Sequence, residues 1–392
     1  MTRRMAILLM AGSGAAGTGL YTGCAVPRRR LVDADALVRY AVERGLVPGA
    51  VLQMCVDGTV VHERAFGRAH VERTAPLRAD DLFPVASLTK PVVAAAVLQL
   101  RDAGRLALDD PIAVYLPEFA DATVIVAEGV TRPARRPITV RHLLTHTSGV
   151  DGFTVAHDLL RPLYERAAIV YEGPLTLRQK LRRLGAMPLA HDPGDAWTYG
   201  LSSDVAGRLV EVVGGAPLDH HLARHVFEPL GMKRTYFVVP PHERQRVVAR
   251  HVRRECALAL MSGAPDPARV SEPSGGGGLY TTIADYGRFV QALLAGGRSL
   301  LDERSVAEMT QNQIGALTAA FRVRYGLGMG VATADAPGSP PLPVGGFGWY
   351  GIYGTWFWAM PRKRAAVLMF CNVLEPGMNA ALFSEVLRAT GM

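Results

Sequence analysis

A serine and a lysine stand three residues apart in Ser87-Leu88-Thr89-Lys90, just ahead of an apolar run from Pro91 to Leu100. On a helix, positions i and i+3 share a face, so the hydroxyl and the amine can meet. A lysine that gives up its charge can take the hydroxyl proton, which makes a serine nucleophile without a histidine. Lysine is scarce in this chain: Lys90, Lys180, Lys233 and Lys363 are its only four among 43 Lys+Arg. Arginine stays protonated and cannot act as a base, so one of the few residues able to do so falls where a base is needed. Pro91 is tolerated only in a first helical turn, so the helix must start near Ser87, and Gly104 can stop it. That start puts the hydroxyl at the positive end of the helix dipole, with free N–H groups nearby. So short a pattern also arises by chance; its context lends it weight.

Two further segments carry possible chemistry. Asp192-Pro193-Gly194 is a turn signal, and Thr198-Tyr199-Gly200-Leu201-Ser202-Ser203-Asp204 follows it. A tyrosine at a loop-to-helix junction can serve as a base beside cations, but this segment alone reads more readily as a packing aromatic. Near the C-terminus, Gly345-Gly346-Phe347-Gly348-Trp349-Tyr350-Gly351-Ile352-Tyr353-Gly354-Thr355 leads into a strand pair. Its glycines would let a substrate approach the backbone of an edge strand, or simply form a turn.

The elements that must position these residues can be read coarsely. Residues 34–44 pattern as an amphipathic helix. Residues 49–57 and 59–66 pattern as strands joined at Asp57-Gly58, a hairpin signal. Residues 354–360 and 365–373 give another strand pair, and 382–390 a closing helix. From about 87 to 311 the chain reads as mostly helical, with helices over 141–145, 176–184, 204–213, 218–227 and 283–294. Strands at both ends with helices between imply one antiparallel sheet built from both termini, flanked by helices, plus a mostly helical lobe over roughly 100–310: an α/β (α+β) fold.

Composition limits the function classes. With 392 residues, 49% hydrophobic and 20% charged, the chain is globular, with ample core. The net charge of +8 comes from scattered arginines, with no basic run interleaved with aromatics. It reads as a solvated surface rather than a nucleic-acid interface. Residues 1–30 look like an export signal: Thr2-Arg3-Arg4 is a positive start, Met5 to Leu20 is apolar, and Leu20-Tyr21-Thr22-Gly23-Cys24 resembles a lipoprotein cleavage site. The expectation is an exported bacterial protein, periplasmic or membrane-anchored, with attachment through a lipidated Cys24 as one route. Residues 31–392 then form a single domain. Cys55, Cys256 and Cys371 allow at most one disulfide, and Cys55 and Cys371 are expected as inert buried thiols. His221 and His225 have the i, i+4 spacing of a helical metal pair, yet no third ligand is evident, so no metal is assigned.

In their order along the chain, these motifs resemble the serine beta-lactamase-related family: class C beta-lactamases, D-Ala-D-Ala carboxypeptidases and family VIII carboxylesterases. The resemblance runs from about residue 34 to 390. It is also carried by Leu106-Ala107-Leu108-Asp109-Asp110-Pro111, Leu143-Leu144-Thr145-His146-Thr147-Ser148-Gly149, Pro229-Leu230-Gly231-Met232 and Gly276-Gly277-Gly278-Leu279-Tyr280-Thr281-Thr282. It implies a beta-lactamase/penicillin-binding-protein-like fold. It further implies Ser87 as the acylated nucleophile, Lys90 as the residue that takes or relays its proton, and Tyr199 as the group that protonates the leaving group and activates water. The N–H groups of Ser87 and Ile352 match the oxyanion hole, where losing a donor costs on the order of a hundredfold in rate. His146 resembles part of a structural turn and is not taken as a base. No metal or organic cofactor is implied, and the absence of G-x-S-x-G speaks against an ordinary alpha/beta-hydrolase.

The chain departs from the lactamase pattern at two points. The Tyr-x-Asn motif has Leu201 at its third position, and Lys-Thr-Gly is replaced by Trp349-Tyr350-Gly351. Losing a charge-assisted contact to a substrate carboxylate costs about 1.5–3 kcal/mol. Both changes favour a neutral, less polar acyl group, and Trp349-Tyr350-Gly351 with Tyr353-Gly354-Thr355 resembles the esterase branch. Trp197, Leu201, Trp349, Tyr350, Gly351 and Tyr353 are the expected substrate pocket. The expected activity is ester cleavage through an acyl-enzyme on Ser87. A lactamase or cell-wall peptidase, and a catalytically silent scaffold, are the alternatives.

Overall fold

The computed structural model describes residues 28–152, 157–169, 175–254, 257–262, 267–268, 273–340 and 342–391. The export-signal residues, Cys24 and Cys256 lie outside the described residues.

A seven-stranded sheet organises the molecule. Its strands are β1 (Gly49–Val56), β2 (Thr59–Gly67), β5 (Arg324–Tyr325), β6 (Gly330–Val331), β7 (Phe347–Gly351), β8 (Thr355–Met360) and β9 (Ala365–Cys371). Between β2 and β5 come two two-residue strands paired with each other, β3 (Phe83–Pro84) and β4 (Tyr280–Thr281). The large sheet has the order β2-β1-β9-β8-β7-β6-β5, so strands from the two termini meet at its centre, as expected. There β1 pairs antiparallel with β9 from Ala50↔Cys371 to Val56↔Ala365. Asp57 (φ 49°) and Gly58 (φ 75°) both take the left-handed conformation that a two-residue Asp-Gly hairpin turn requires.

Both faces of the sheet are covered, which is why every residue of β1, β8 and β9 is buried. The terminal helices α1 (Arg28–Glu43) and α6 (Pro376–Thr390) pack on each other and on one face. Helix α5 (Ile283–Leu294) packs on the other. Neighbours on β8 show the division: Trp356 stacks on Phe383 of α6 at 5.4 Å, while Phe357 meets Tyr286 of α5 at 5.6 Å. Cys55 on β1 and Cys371 on β9 are free and buried, and burial pushes both thiols up to about 12. They are inert, as expected.

Three helices position the site: α2 (Thr89–Asp102), α3 (Val140–Leu144) and α4 (Ser202–Gly214). The middle of the chain is less purely helical than its periodicity suggests. It contains hairpins Thr123–Ala127/Val130–Pro133 and His251–Arg254/Ala257–Leu260. The helix expected over 218–227 turns π-helical at Ala223–Phe227, where the Gln99 side chain donates to the freed His225 carbonyl at 2.8 Å. Strand β7 is not a simple edge: β6 pairs with it at Phe347 and Gly348 and then stops, so among the described residues no strand covers its outer edge from Trp349 to Gly351.

Candidate active site

Ser87 sits in a 3₁₀ turn (Ala86–Leu88) that runs directly into α2. Pro91 falls in the first turn of α2, as its missing N–H demands. The turn is held from several sides. Thr89 donates to the Ala86 carbonyl at 2.7 Å and accepts from the Leu279 N–H at 3.2 Å. Tyr286 donates to the Leu88 carbonyl at 2.9 Å. Ala86 has φ 45°, a strained conformation for a residue with a Cβ, immediately before the candidate nucleophile.

Lys90 Nζ lies 3.0 Å from Ser87 Oγ, so the sequence-predicted pair does meet. Nζ also donates to the Gly276 carbonyl and stands 4.7 Å from the Tyr199 ring centroid. Lys90 is 5% exposed, while Ser87 is half-buried and reachable.

Tyr199 arrives on a tightly anchored loop. The Asp192 carboxylate takes hydrogen bonds from the Arg132 guanidinium and the Arg135 N–H, which hold its carboxyl well below the usual range. Thr198 donates its N–H to the His146 carbonyl at 2.8 Å, and Leu201 donates to the Asp151 carbonyl at 3.1 Å. A Cβ on Gly200 would come 2.4 Å from the Asp151 backbone, so only glycine fits beside Tyr199. His146 (φ 56°) is fully buried, with its ring 4.7 Å from that of Tyr199. Burial, and then the Lys90 charge, push its pKa far down, so His146 is a neutral packing group.

The third segment is the hairpin β7–β8, whose three-residue loop Ile352-Tyr353-Gly354 closes with Gly354 at φ 87°. Its end is tied to the serine turn: Thr355 donates to the Val85 carbonyl at 3.2 Å, and a Cβ on Gly351 would lie 2.2 Å from the same oxygen. The N–H groups of Ser87 and Ile352 donate to no acceptor among the described residues, so both are free for an oxyanion.

Trp349 donates its indole N–H to the Tyr199 hydroxyl at 3.3 Å. Trp197, on the same loop, stacks on Tyr199 at 5.6 Å. Tyr350 continues this aromatic cluster, 5.1 Å from the Trp349 ring, stacked on Trp356 at 4.9 Å and edge-on to Phe321 at 4.7 Å. Two expected pocket residues sit elsewhere. Leu201 is 2% exposed within the core, because it caps α4 and turns inward, and it offers a substrate almost no surface. Tyr353 is 7% exposed under the Arg250 guanidinium, 5.2 Å away.

The sequence reading missed three participants. Gly276 supplies the carbonyl that holds Lys90. Asp204 is 4% exposed and accepts from the Ser274 hydroxyl at 2.6 Å and the Gly276 N–H at 3.2 Å. Asp204 shares a helix face with the apolar Leu201 and Val205, and a charge on an apolar face was the signal available. Tyr325 is fully buried, edge-on to Trp349 at 4.9 Å. It lies far from Ser87 in sequence, and nothing in its local pattern marks it. His221 and His225 lie outside this group, their rings 4.5 Å apart, with His221 lowered to about 4 chiefly by burial.

The arrangement is a serine–lysine pair faced by a tyrosine and two free amides, as acyl transfer requires. Comparison with known proteins agrees. The Beta-lactamase family model matches residues 34–389. An uncharacterized protein of Mycobacterium tuberculosis is 36% identical, over 85% of this chain and 88% of that protein. Esterase EstB of Burkholderia gladioli is 34% identical, over 89% of this chain and 92% of its own length. Among solved structures, EstCE1, described as a hydrolase with promiscuous acyltransferase activity, superposes with a TM-score of 0.81 at 25% identity, over 93% of this chain and 98% of that one. The chain belongs to the beta-lactamase family, in company with esterases and acyltransferases.

Proposed function

We propose that this protein is a serine esterase that cleaves small, fairly apolar carboxylic esters through an acyl-enzyme on Ser87. The observation that carries the reading is Trp349. Where the lactamase pattern has the lysine of Lys-Thr-Gly, the Trp349 indole stands beside Tyr199 and donates to its hydroxyl. It leaves no cation at this position for a substrate carboxylate.

In this mechanism Lys90 accepts the Ser87 proton as Oγ attacks the ester carbonyl. The new oxyanion rests on the Ser87 and Ile352 N–H groups. The tetrahedral intermediate collapses, the leaving alcohol takes a proton by way of Tyr199, and Ser87 is left acylated. Water, activated by the same tyrosine, attacks the acyl carbon and releases the acid. An alcohol in place of water would give acyl transfer, the second activity ascribed to EstCE1. The leader-like residues 1–30 make export to the periplasm or cell envelope part of the same proposal.

The test compares wild type and Ser87→Ala on short-chain p-nitrophenyl esters, with a chromogenic cephalosporin alongside. Ester turnover that disappears in Ser87→Ala, with little cephalosporin cleavage, is expected. Dominant cephalosporin cleavage would make the protein a lactamase. No Ser87-dependent turnover of either would make it a scaffold or a narrow peptidase.

A further inference from the structure

Asp204 is a buried carboxylate behind Lys90 that the ester reaction, as described, does not use. It lies in the first turn of α4, where the helix dipole favours negative charge. The Ser274 hydroxyl and the Gly276 N–H donate to its Oδ1. Gly276 in turn holds the Lys90 ammonium through its carbonyl. Only glycine fits between them, since a Cβ at 276 would stand 2.4 Å from Asp204 Oδ2.

The groups facing the Lys90 ammonium come from each packed element. Its own turn supplies the Ser87 hydroxyl, and the loop before α4 supplies the Tyr199 ring. The loop after α3 supplies the His146 imidazole, kept neutral by burial. The glycine-rich segment before β4 supplies the Gly276 carbonyl. Helix α4 supplies Asp204, the one carboxylate in this set among the described residues, which is linked to Lys90 through the Gly276 peptide rather than by direct contact. Burial raises the Asp204 pKa, while the Ser274 hydrogen bond and then the Lys90 charge oppose that rise.

We propose that Asp204 is the counter-charge of Lys90: a positioning residue that holds the ammonium on the Gly276 carbonyl and sets the pH at which the amine is free to take the Ser87 proton. The inference deepens the Ser87–Lys90 reading and rests on it. Removing the carboxylate's charge disfavours the ammonium, so the neutral amine becomes available at lower pH.

Asp204→Asn tests this, because the amide oxygen still accepts from Ser274 and Gly276. The acid limb of kcat/KM on p-nitrophenyl butyrate should move down by about one pH unit or more. A second readout needs no turnover. The chain has just four lysines, so a protein labelled with carbon-13 at lysine Cε gives few signals, and Lys90 is assigned by its loss in Lys90→Arg. Its titration should move down with the limb. Asp204→Ser, which removes the charge with a smaller side chain, should move both in the same direction. It keeps the test valid if the Asn variant fails to fold. A folded Asp204→Asn protein whose limb and Lys90 signal both stay at their wild-type pH overturns the proposal. So does an unmoved Asp204→Ser protein when Asp204→Asn does not fold. A moved Lys90 signal in a protein that hydrolyses no ester supports the counter-charge and sinks the esterase reading instead.

Discussion

Replacing Trp349 by phenylalanine separates the indole N–H from the aromatic wall around it. The N–H lies 3.3 Å from the Tyr199 hydroxyl, a long neutral hydrogen bond in the resting protein. If Tyr199 carries developing negative charge while it shuttles the proton, that bond becomes charge-assisted in the transition state. It is then worth about 1.5–3 kcal/mol, which is roughly 10- to 150-fold in kcat/KM. The packing loss is a separate effect. Trp349 is 3% exposed and stands edge-on to Tyr325, so the smaller ring leaves a void costing about 1–2 kcal/mol of stability, or a few degrees in Tm. The assay is steady-state hydrolysis of p-nitrophenyl butyrate beside thermal melting. A fall of tenfold or more in kcat/KM is expected, with the larger share in kcat because the contact strengthens only in the transition state. A variant that melts lower but keeps kcat/KM within twofold would refute the argument, leaving Trp349 as packing alone.

Gly351→Ala should abolish ester turnover and lower Tm, because its Cβ would stand 2.2 Å from both the Val85 carbonyl and the Thr355 hydroxyl oxygen. The shift it forces falls between the two oxyanion amides; wild-type kcat/KM in this variant would show that the Ile352 N–H has no role. Asp192→Asn should lower Tm at neutral pH, because the Arg132 and Arg135 contacts hold the Asp192 pKa down in the folded state. A depressed folded pKa adds stability that is complete above the unfolded value of about 4 and is lost as pH falls below it. The gap between the two melting curves should therefore narrow from about pH 4 downward; a gap that widens in acid would reverse the assigned cause.

The sheet was legible where local chemistry decides structure. Asp57-Gly58 marked one hairpin, and the apolar runs of β1, broken only by Gln53, and of β9 marked strands. Strands of two residues, such as β3 with β4 and β5 with β6, were not legible, because their pairing partners create them and they have no periodicity of their own. At the site, Ser87 and Lys90 could be read from spacing and from Pro91. Tyr199 and Ile352 needed the family resemblance, since nothing local separates a reactive tyrosine or a free amide from an ordinary one. Leu201 was expected in the pocket and lies in the core: a motif gives the order of residues, while the loop-to-helix junction before Ser202 decides which way the side chain points. Asp204 escaped because its partners, Ser274 and Gly276, lie some seventy residues away and only folding brings them together.

The central claim is a covalent acyl group on Ser87. Mixing the protein with a short-chain p-nitrophenyl ester, quenching in acid within the first turnovers and weighing the intact chain tests it directly. The account predicts a mass increase equal to one acyl group, located by peptide mapping on Ser87 and missing from Ser87→Ala. Ester turnover with no adduct at Ser87, or an adduct that persists in Ser87→Ala, would contradict it.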